Sequence, residues 1–343
     1  MVLIDLKQGK TMQQRHLGQS TRGVSAIGLG CMGMSEFYGA TDDAQSHGTM
    51  ARSLELGINF FDSADIYGFG HNETLIGDFL KAGGSVRRDQ VVLATKFGIV
   101  RKPGHYERRI DNTPAYVQAA CEASLKRLRV ETIDLYYCHR RNPDVPVEDM
   151  VGAMAALVKA GKVRQLGLSE VSSATLRKAH AVHPMAAVQS EYSLWAREPE
   201  TDMLATCAEL GTSFVAYSPL GRAFLTGALD TSKLAANDFR TMLPRFSGAA
   251  EGSNQKLVDG LSRFATTKGV TNAQAALAWL VCKHPYVLPI PGTRRVNYLE
   301  QNAAASDIVL STAEISELDA LFAPEAIEGG RYPEAGMVGI ESA

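Results

Sequence analysis

Short apolar runs rich in β-branched and aromatic residues recur along the chain, and the intervals between them follow a helical period. The runs predict eight strands: Val24–Leu29, Ile58–Asp62, Val91–Lys96, Ile133–Cys138, Val163–Leu168, Ala187–Gln189, Ser213–Tyr217 and Val287–Ile290. Helical spacing of apolar positions covers Asp43–Leu56, Asn72–Leu80, Pro114–Leu128, Val147–Ala160, Ser173–His180, Thr201–Leu210, Thr271–Cys282 and Ala313–Leu321. Start signals stand at Thr41-Asp42-Asp43, Thr113-Pro114 and Ser172-Ser173, and stops at Gly57, Gly161 and Gly211.

Strict alternation of strand and helix implies right-handed crossovers and a parallel sheet buried on both faces, which suits the near-continuous Val/Ile/Leu/Phe runs. Eight such units predict an α/β fold of the (β/α)8 TIM-barrel type, as one domain over residues 1–343 with 1–12 and 323–343 as peripheral tails. Residues 13–17 and 23–26 flank a Gly-Gln-Ser-Thr-Arg turn, so an N-terminal β-hairpin is expected before the barrel. After the seventh strand, residues 220–256 form an interval too long for an ordinary βα loop. Long loops at that end of a barrel are usually functional.

Composition narrows the function classes. Of 343 residues, 35 are Lys or Arg and 37 Asp or Glu, a net charge of 35 − 37 = −2 that speaks against a nucleic-acid or anionic-membrane partner. No run of apolar residues approaches the length of a membrane span, and no signal peptide is read at the N-terminus. Five cysteines, at 31, 121, 138, 207 and 282, form no Cys-x-x-Cys, so neither a disulfide framework nor a zinc site is expected and a cytoplasmic location is. The 31 glycines ask for many tight turns or many close approaches of the backbone to a ligand.

Gly28-Leu29-Gly30-Cys31-Met32-Gly33 matches G-x-G-x-x-G after a strand, but the third glycine is followed by SEFYGAT rather than by a helix. A Rossmann site is therefore disfavoured. More telling are the residues at successive strand ends, where barrel active sites are built. Asp62 ends the second strand with Tyr67 five residues on, Lys96 ends the third, and His139 follows the fourth. Singly, each has an ordinary structural role. Together they suit carbonyl reduction: Tyr67 as proton donor, Lys96 lowering its pKa, Asp62 fixing the lysine, and His139 orienting the carbonyl oxygen. The hydride must come from a nicotinamide cofactor. Other routes are less well served. No tyrosine has a lysine four residues on, which closes the short-chain dehydrogenase route, and the eight histidines form no evident metal site.

The phrases GLGCMGMS, DSADIYGFGHNETLIG, VVLATKFG, SLKRLRVETIDLYYCHR, VRQLGLSE, VQSEYS, VAYSPLGRAFLTG and IPGTRRVNYLEQN occur in that order. The chain thereby resembles the aldo-keto reductase superfamily from about Gln13 to Ala304. The wording is closest to the bacterial and plant auxin-induced-protein-like branch and more distant from the potassium-channel β subunits. The resemblance implies Asp62, Tyr67, Lys96 and His139 as the catalytic tetrad and NADP(H) as cofactor, with NADPH preferred over NADH. It places Ser169 and Gln189 at the nicotinamide carboxamide, Tyr217 stacked on the nicotinamide, and Ser218, Pro219, Leu220, Gly221 and Arg222 along the pyrophosphate. Gly292, Thr293, Arg294 and Arg295 then match the adenosine-phosphate segment, with Tyr298, Gln301 and Asn302 near the adenine and Gly30 and Met32 beside the cofactor.

The implied partner is a small carbonyl or alcohol substrate. Met32, Met34, Phe37, Tyr38, Phe97 and Trp195 are candidates for an apolar substrate pocket. The loop at 220–256, carrying Arg240 and Pro244-Arg245-Phe246, is a candidate belt over the pyrophosphate. Two positions depart from the family's wording, Cys138 before the histidine and Glu170 after Ser169. Alternation along the strand gives Cys138 a packing role. A cofactor-bound regulatory or binding module with little turnover is the competing reading, and nothing in the outer helices marks an oligomer contact.

Overall fold

The computed structural model describes residues 12–103, 108–235 and 238–341; the expected N-terminal tail falls, but for its last residue, outside them. The strands are β1 (Gln14–His16), β2 (Gly23–Ser25), β3 (Leu29–Gly30), β4 (Phe60–Asp62), β5 (Val92–Phe97), β6 (Ile99–Arg101), β7 (Arg108–Ile110), β8 (Ile133–Cys138), β9 (Val163–Ser169), β10 (Met185–Glu191), β11 (Ser213–Tyr217) and β12 (Val287–Pro289). The helices are α1 (Asp43–Glu55), α2 (His71–Ala82), α3 (Gly84–Gln90), α4 (Pro114–Leu128), α5 (Val147–Lys159), α6 (Ser173–Val182), α7 (Met203–Leu210), α8 (Gly248–Lys268), α9 (Asn272–Lys283), α10 (Val296–Ala304) and α11 (Thr312–Leu321).

Eight strands, in the order β3-β4-β5-β8-β9-β10-β11-β12, pair in parallel as the alternation predicts. The two edges meet: Gly28 N–H donates to the Pro289 carbonyl at 2.9 Å, Gly30 N–H to the Pro291 carbonyl at 3.3 Å, and Gly30 bridges Gly292. The first strand is thus shorter than its apolar run. Val24 and Ser25 belong instead to the antiparallel β1–β2 hairpin, where Val24 pairs with Arg15 and Ser25 N–H donates to the Asn59 side chain. A Cβ at position 30 would stand 2.7 Å from the Ile290 carbonyl oxygen, so the seam needs glycine there.

Two layers of apolar side chains follow from strand alternation. Phe60, Val92, Ala94, Leu135, Tyr137, Ala187, Val215 and Leu288 fill the barrel with Leu17 and Val24 of the hairpin, while Phe61, Leu93, Tyr136, Cys138, Val188 and Phe214 face the helices. Helix starts agree with their signals: Asp42 and Ser172 accept from the backbone of Gln45 and Thr175, and Pro114 opens α4.

Two expectations change. Residues 220–256 do not stay irregular, because α8 begins at Gly248 after a series of 3-10 turns. The stretch from 323 is not peripheral either. Arg331 bonds Glu170 at 2.5 Å and reaches Glu191 and the Tyr217 hydroxyl. Glu341 accepts from Ser172 and pairs with Arg141 at 3.1 Å, so this segment lies across the carboxyl ends of the strands.

Candidate active site

Inner-face parity carries the barrel interior up to its mouth. Phe60 faces inward, so Asp62 does; Ala94 places Lys96, Tyr137 places His139, Ala187 places Gln189 and Val215 places Tyr217. Cys138 points the other way, into the outer core, as alternation predicts. The fourth tetrad residue, Tyr67, opens a 3-10 turn after β4.

These residues converge. Lys96, fully buried, donates from Nζ to Asp62 Oδ1 and to the Ser63 carbonyl at 2.6 Å. Gln189 Nε2 donates to the other Asp62 oxygen at 2.8 Å. The Lys96 ammonium lies 5.2 Å from the Tyr67 ring centre, and the Tyr67 and His139 rings meet edge to face with centroids 5.7 Å apart. Nδ1 of His139 is buried without a partner among the described residues, which leaves Nε2 as the nitrogen able to serve the cavity.

Electrostatics depart from the expectation for Tyr67. Burial pushes its hydroxyl well above the usual phenol range, the Asp62 charge adds to this, and Arg140 opposes it. Lys96 faces the ring rather than bonding the oxygen, and burial together with Asp62 outweighs the cations near the hydroxyl. Burial likewise pulls the Lys96 ammonium down, opposed by Asp62. His139 is held well below the ordinary imidazole range by burial and then by the cations of Arg140, Lys96, Arg108 and Arg101. It is a neutral imidazole at physiological pH.

A cavity of about 750 Å³ runs from Asp62, Tyr67 and His139 outward, with Lys96 beneath its floor. Gly30, Met32, Ser169, Gln189, Tyr217, Ser218, Pro219, Leu220 and Arg222 line it, as do Gly292, Thr293, Arg294, Arg295, Tyr298, Gln301 and Asn302. Gly221 does not: at φ +54° it packs against Trp195, where a Cβ would come within 2.6 Å of the indole. Although Arg222 lines the cavity, its charge is committed, because both guanidinium ends bond Glu191 in a buried pair at 2.9 and 3.1 Å. Phe37, Ser218, Arg222 and Ala223 line the same space with positive φ, strained conformations of a kind that gather at functional sites.

At the far end, Arg294 donates to the carbonyls of Gly33 and Tyr38 at 3.1 and 2.9 Å. Arg295 lies over the Tyr298 ring at 5.6 Å and stands at the start of α10, which no side chain caps. Among the described residues neither arginine has a carboxylate within ion-pair distance. Burial, Arg295 and Arg240 pull the Arg294 pKa down, the mark of a guanidinium among like charges. Two uncompensated guanidinium groups at an uncapped helix start suit a phosphate group.

Of the candidates for an apolar wall, Met32, Phe37 and Tyr38 line the cavity, whereas Met34, Phe97 and Trp195 do not. Phe97 stacks on Tyr136 and Trp195 on Phe224, both in the core. Ile66, Ile99, Phe239 and Tyr332 take their place. The Phe239 ring reaches across to Phe37 at 5.4 Å and Arg240 lies over Tyr38 at 5.2 Å, so the loop after β11 meets the loop after β3 above the cavity. Tyr332 joins from the C-terminal segment with its hydroxyl 2.9 Å from that of Tyr217.

The sequence model of the Aldo/keto reductase family matches residues 26–323. This chain belongs to that family. It is 42% identical to an aldo-keto reductase of Schizosaccharomyces pombe, named with NADP(+), over 93% of this chain and 94% of that one. Among solved structures, a glycerol dehydrogenase of Gluconobacter oxydans superposes with a TM-score of 0.82 at 27% identity, covering 91% of this chain and 96% of the other. An aldo/keto reductase of Klebsiella pneumoniae, solved with NADP and acetate, superposes with a TM-score of 0.70 at 29% identity, covering 94% and 99%. Aldo/keto reductase membership agrees with the eight-stranded barrel and with the ordered phrases that pointed to it.

Proposed function

We propose that this protein is an NADPH-dependent reductase of aldehydes or ketones, working in reverse on alcohols, with Asp62, Tyr67, Lys96 and His139 as its catalytic set. The observation that carries this reading is the meeting of Tyr67 and His139 on the cavity floor, above a buried Lys96–Asp62 pair. A buried ion pair is seldom retained for stability alone.

The cofactor reading draws on the unpaired Arg294 and Arg295 at the start of α10 and on the NADP named for the yeast and Klebsiella relatives. Ser169 and Gln189 would hold the carboxamide, Tyr217 would stack on the nicotinamide, and Arg294 and Arg295 would hold the 2′-phosphate. When bound, NADPH supplies the hydride to the carbonyl carbon. Tyr67 gives its proton to the carbonyl oxygen, and neutral His139 donates a hydrogen bond from Nε2 to the same oxygen. As the tyrosine loses its proton, the adjacent Lys96 cation offsets the new charge, and Asp62 with Gln189 keeps that cation in place.

The test is a steady-state panel of aldehydes and ketones with NADPH and NADH, followed by loss of nicotinamide absorbance. Turnover with NADPH favoured supports the reading. Cofactor binding without oxidation, even in a single turnover, would make the protein a sensor instead.

A further inference from the structure

Arg140 directly follows His139, lines the same cavity and is only 6% exposed. Its Nη1 donates inward, to the His139 carbonyl at 2.7 Å and to Ser169 Oγ at 3.2 Å. Nε is buried, and among the described residues neither Nε nor Nη2 has a hydrogen-bond acceptor. Nε and Nη2 together make one edge of the guanidinium fork, the edge that takes a carboxylate in bidentate fashion.

Among the described residues the neighbouring carboxylates are engaged elsewhere. Glu170 pairs with Arg331, Glu191 with Arg222, and Asp62 with Lys96. Among the described residues none stands within ion-pair distance of Arg140. Glu170 favours the Arg140 charge from beyond bonding distance, since its own bond goes to Arg331, so the Nε–Nη2 edge has no carboxylate bonded to it among the described residues. An anion that enters the cavity can complete that edge.

We propose that Arg140 is a specificity residue for the carboxylate of an oxo acid, so that the preferred substrates are short aldehydes or ketones carrying a carboxylate a few bonds from the carbonyl. The short separation follows from the chain itself, since the residue that receives the anion adjoins the one that orients the carbonyl oxygen. A carboxylate is favoured over a phosphate because one bidentate edge matches two oxygens and one negative charge. The inference rests on the carbonyl-reductase reading and names the substrate class for that site.

Matched pairs test it on the full chain with NADPH: 4-oxobutanoate against its methyl ester, and 4-carboxybenzaldehyde against its methyl ester. The acid of each pair is expected to show a KM about 10-fold or more below that of the ester, as befits one charged hydrogen-bonded contact. In Arg140→Met that ratio falls to one or below, and Arg140→Lys restores part of it. Benzoate against benzamide, titrated into the NADPH-loaded protein, reads the site without turnover and without a variant; benzoate is expected to bind about 10-fold tighter.

Equal KM values for acid and ester in the wild type, a preference that survives in Arg140→Met, or equal binding of benzoate and benzamide would overturn the assignment. So would a phosphate-bearing aldehyde, such as glyceraldehyde 3-phosphate, preferred over the carboxylates. Reduction of the esters as readily as the acids sinks the Arg140 assignment alone. Binding of benzoate with no carbonyl reduced sinks the reductase reading and leaves the anion site standing.

Discussion

The Lys96 ammonium lies 5.2 Å from the centre of the Tyr67 ring and spends its hydrogen bonds on Asp62 and the Ser63 carbonyl, not on the tyrosine hydroxyl. The lysine is thus a charge held beside the ring, available when the tyrosine becomes negative. Tyr67 keeps its proton firmly until then, because burial and Asp62 both raise its pKa.

A pH profile follows from these directions. Reduction needs Tyr67 protonated and His139 neutral. The first is lost only as pH rises through a pKa above the usual phenol value, and the second only as pH falls through one below the usual imidazole value. For carbonyl reduction kcat/KM is therefore expected to be flat from about pH 6 to about pH 9. A fall centred near pH 6.5 would contradict the neutral assignment of His139.

Cofactor choice turns on Arg295. Arg294 also anchors the carbonyls of Gly33 and Tyr38, so Arg295 is the cleaner position to change. Arg295→Ala is expected to raise the KM for NADPH about 10-fold, the worth of one charge-assisted hydrogen bond, while that for NADH moves little. Equal changes for the two cofactors in steady-state kinetics would remove Arg295 from phosphate recognition.

Barrel closure depends on Gly30. A methyl group there would meet the Ile290 carbonyl oxygen at 2.7 Å, and backbone cannot yield without parting the seam. Gly30→Ala is expected to destabilise the fold by about 1–3 kcal/mol. Thermal unfolding checks it: an unchanged Tm would mean that the seam is looser than its hydrogen bonds indicate.

Much of this was legible in the sequence, for reasons that differ along the chain. Strands such as Ile133–Cys138 sit between two apolar layers, so nearly every side chain had to be apolar or aromatic, and the tetrad fell at their ends. The two-residue strand at Leu29–Gly30 is defined by glycine contacts across the seam, which leave no periodic mark. α8 begins with Gly, Ala and polar residues and includes Gly252, so its first turns read as loop. The C-terminal segment acts through Arg331, Tyr332 and Glu341, isolated polar contacts that no pattern joins to Glu170 or Tyr217. Arg140 was visible beside His139 at a strand end, yet only the packing shows that no carboxylate among the described residues bonds its Nε–Nη2 edge.

Tyr67→Phe tests the central claim most directly, because it removes one hydroxyl and little volume from the cavity floor. Single-turnover reduction of a carbonyl by NADPH-loaded protein, read beside a fluorescence titration of NADPH, separates chemistry from binding. The account predicts a rate reduced about 100-fold or more with an unchanged NADPH dissociation constant. A variant that reduces the carbonyl at the wild-type rate would contradict Tyr67 as the proton donor.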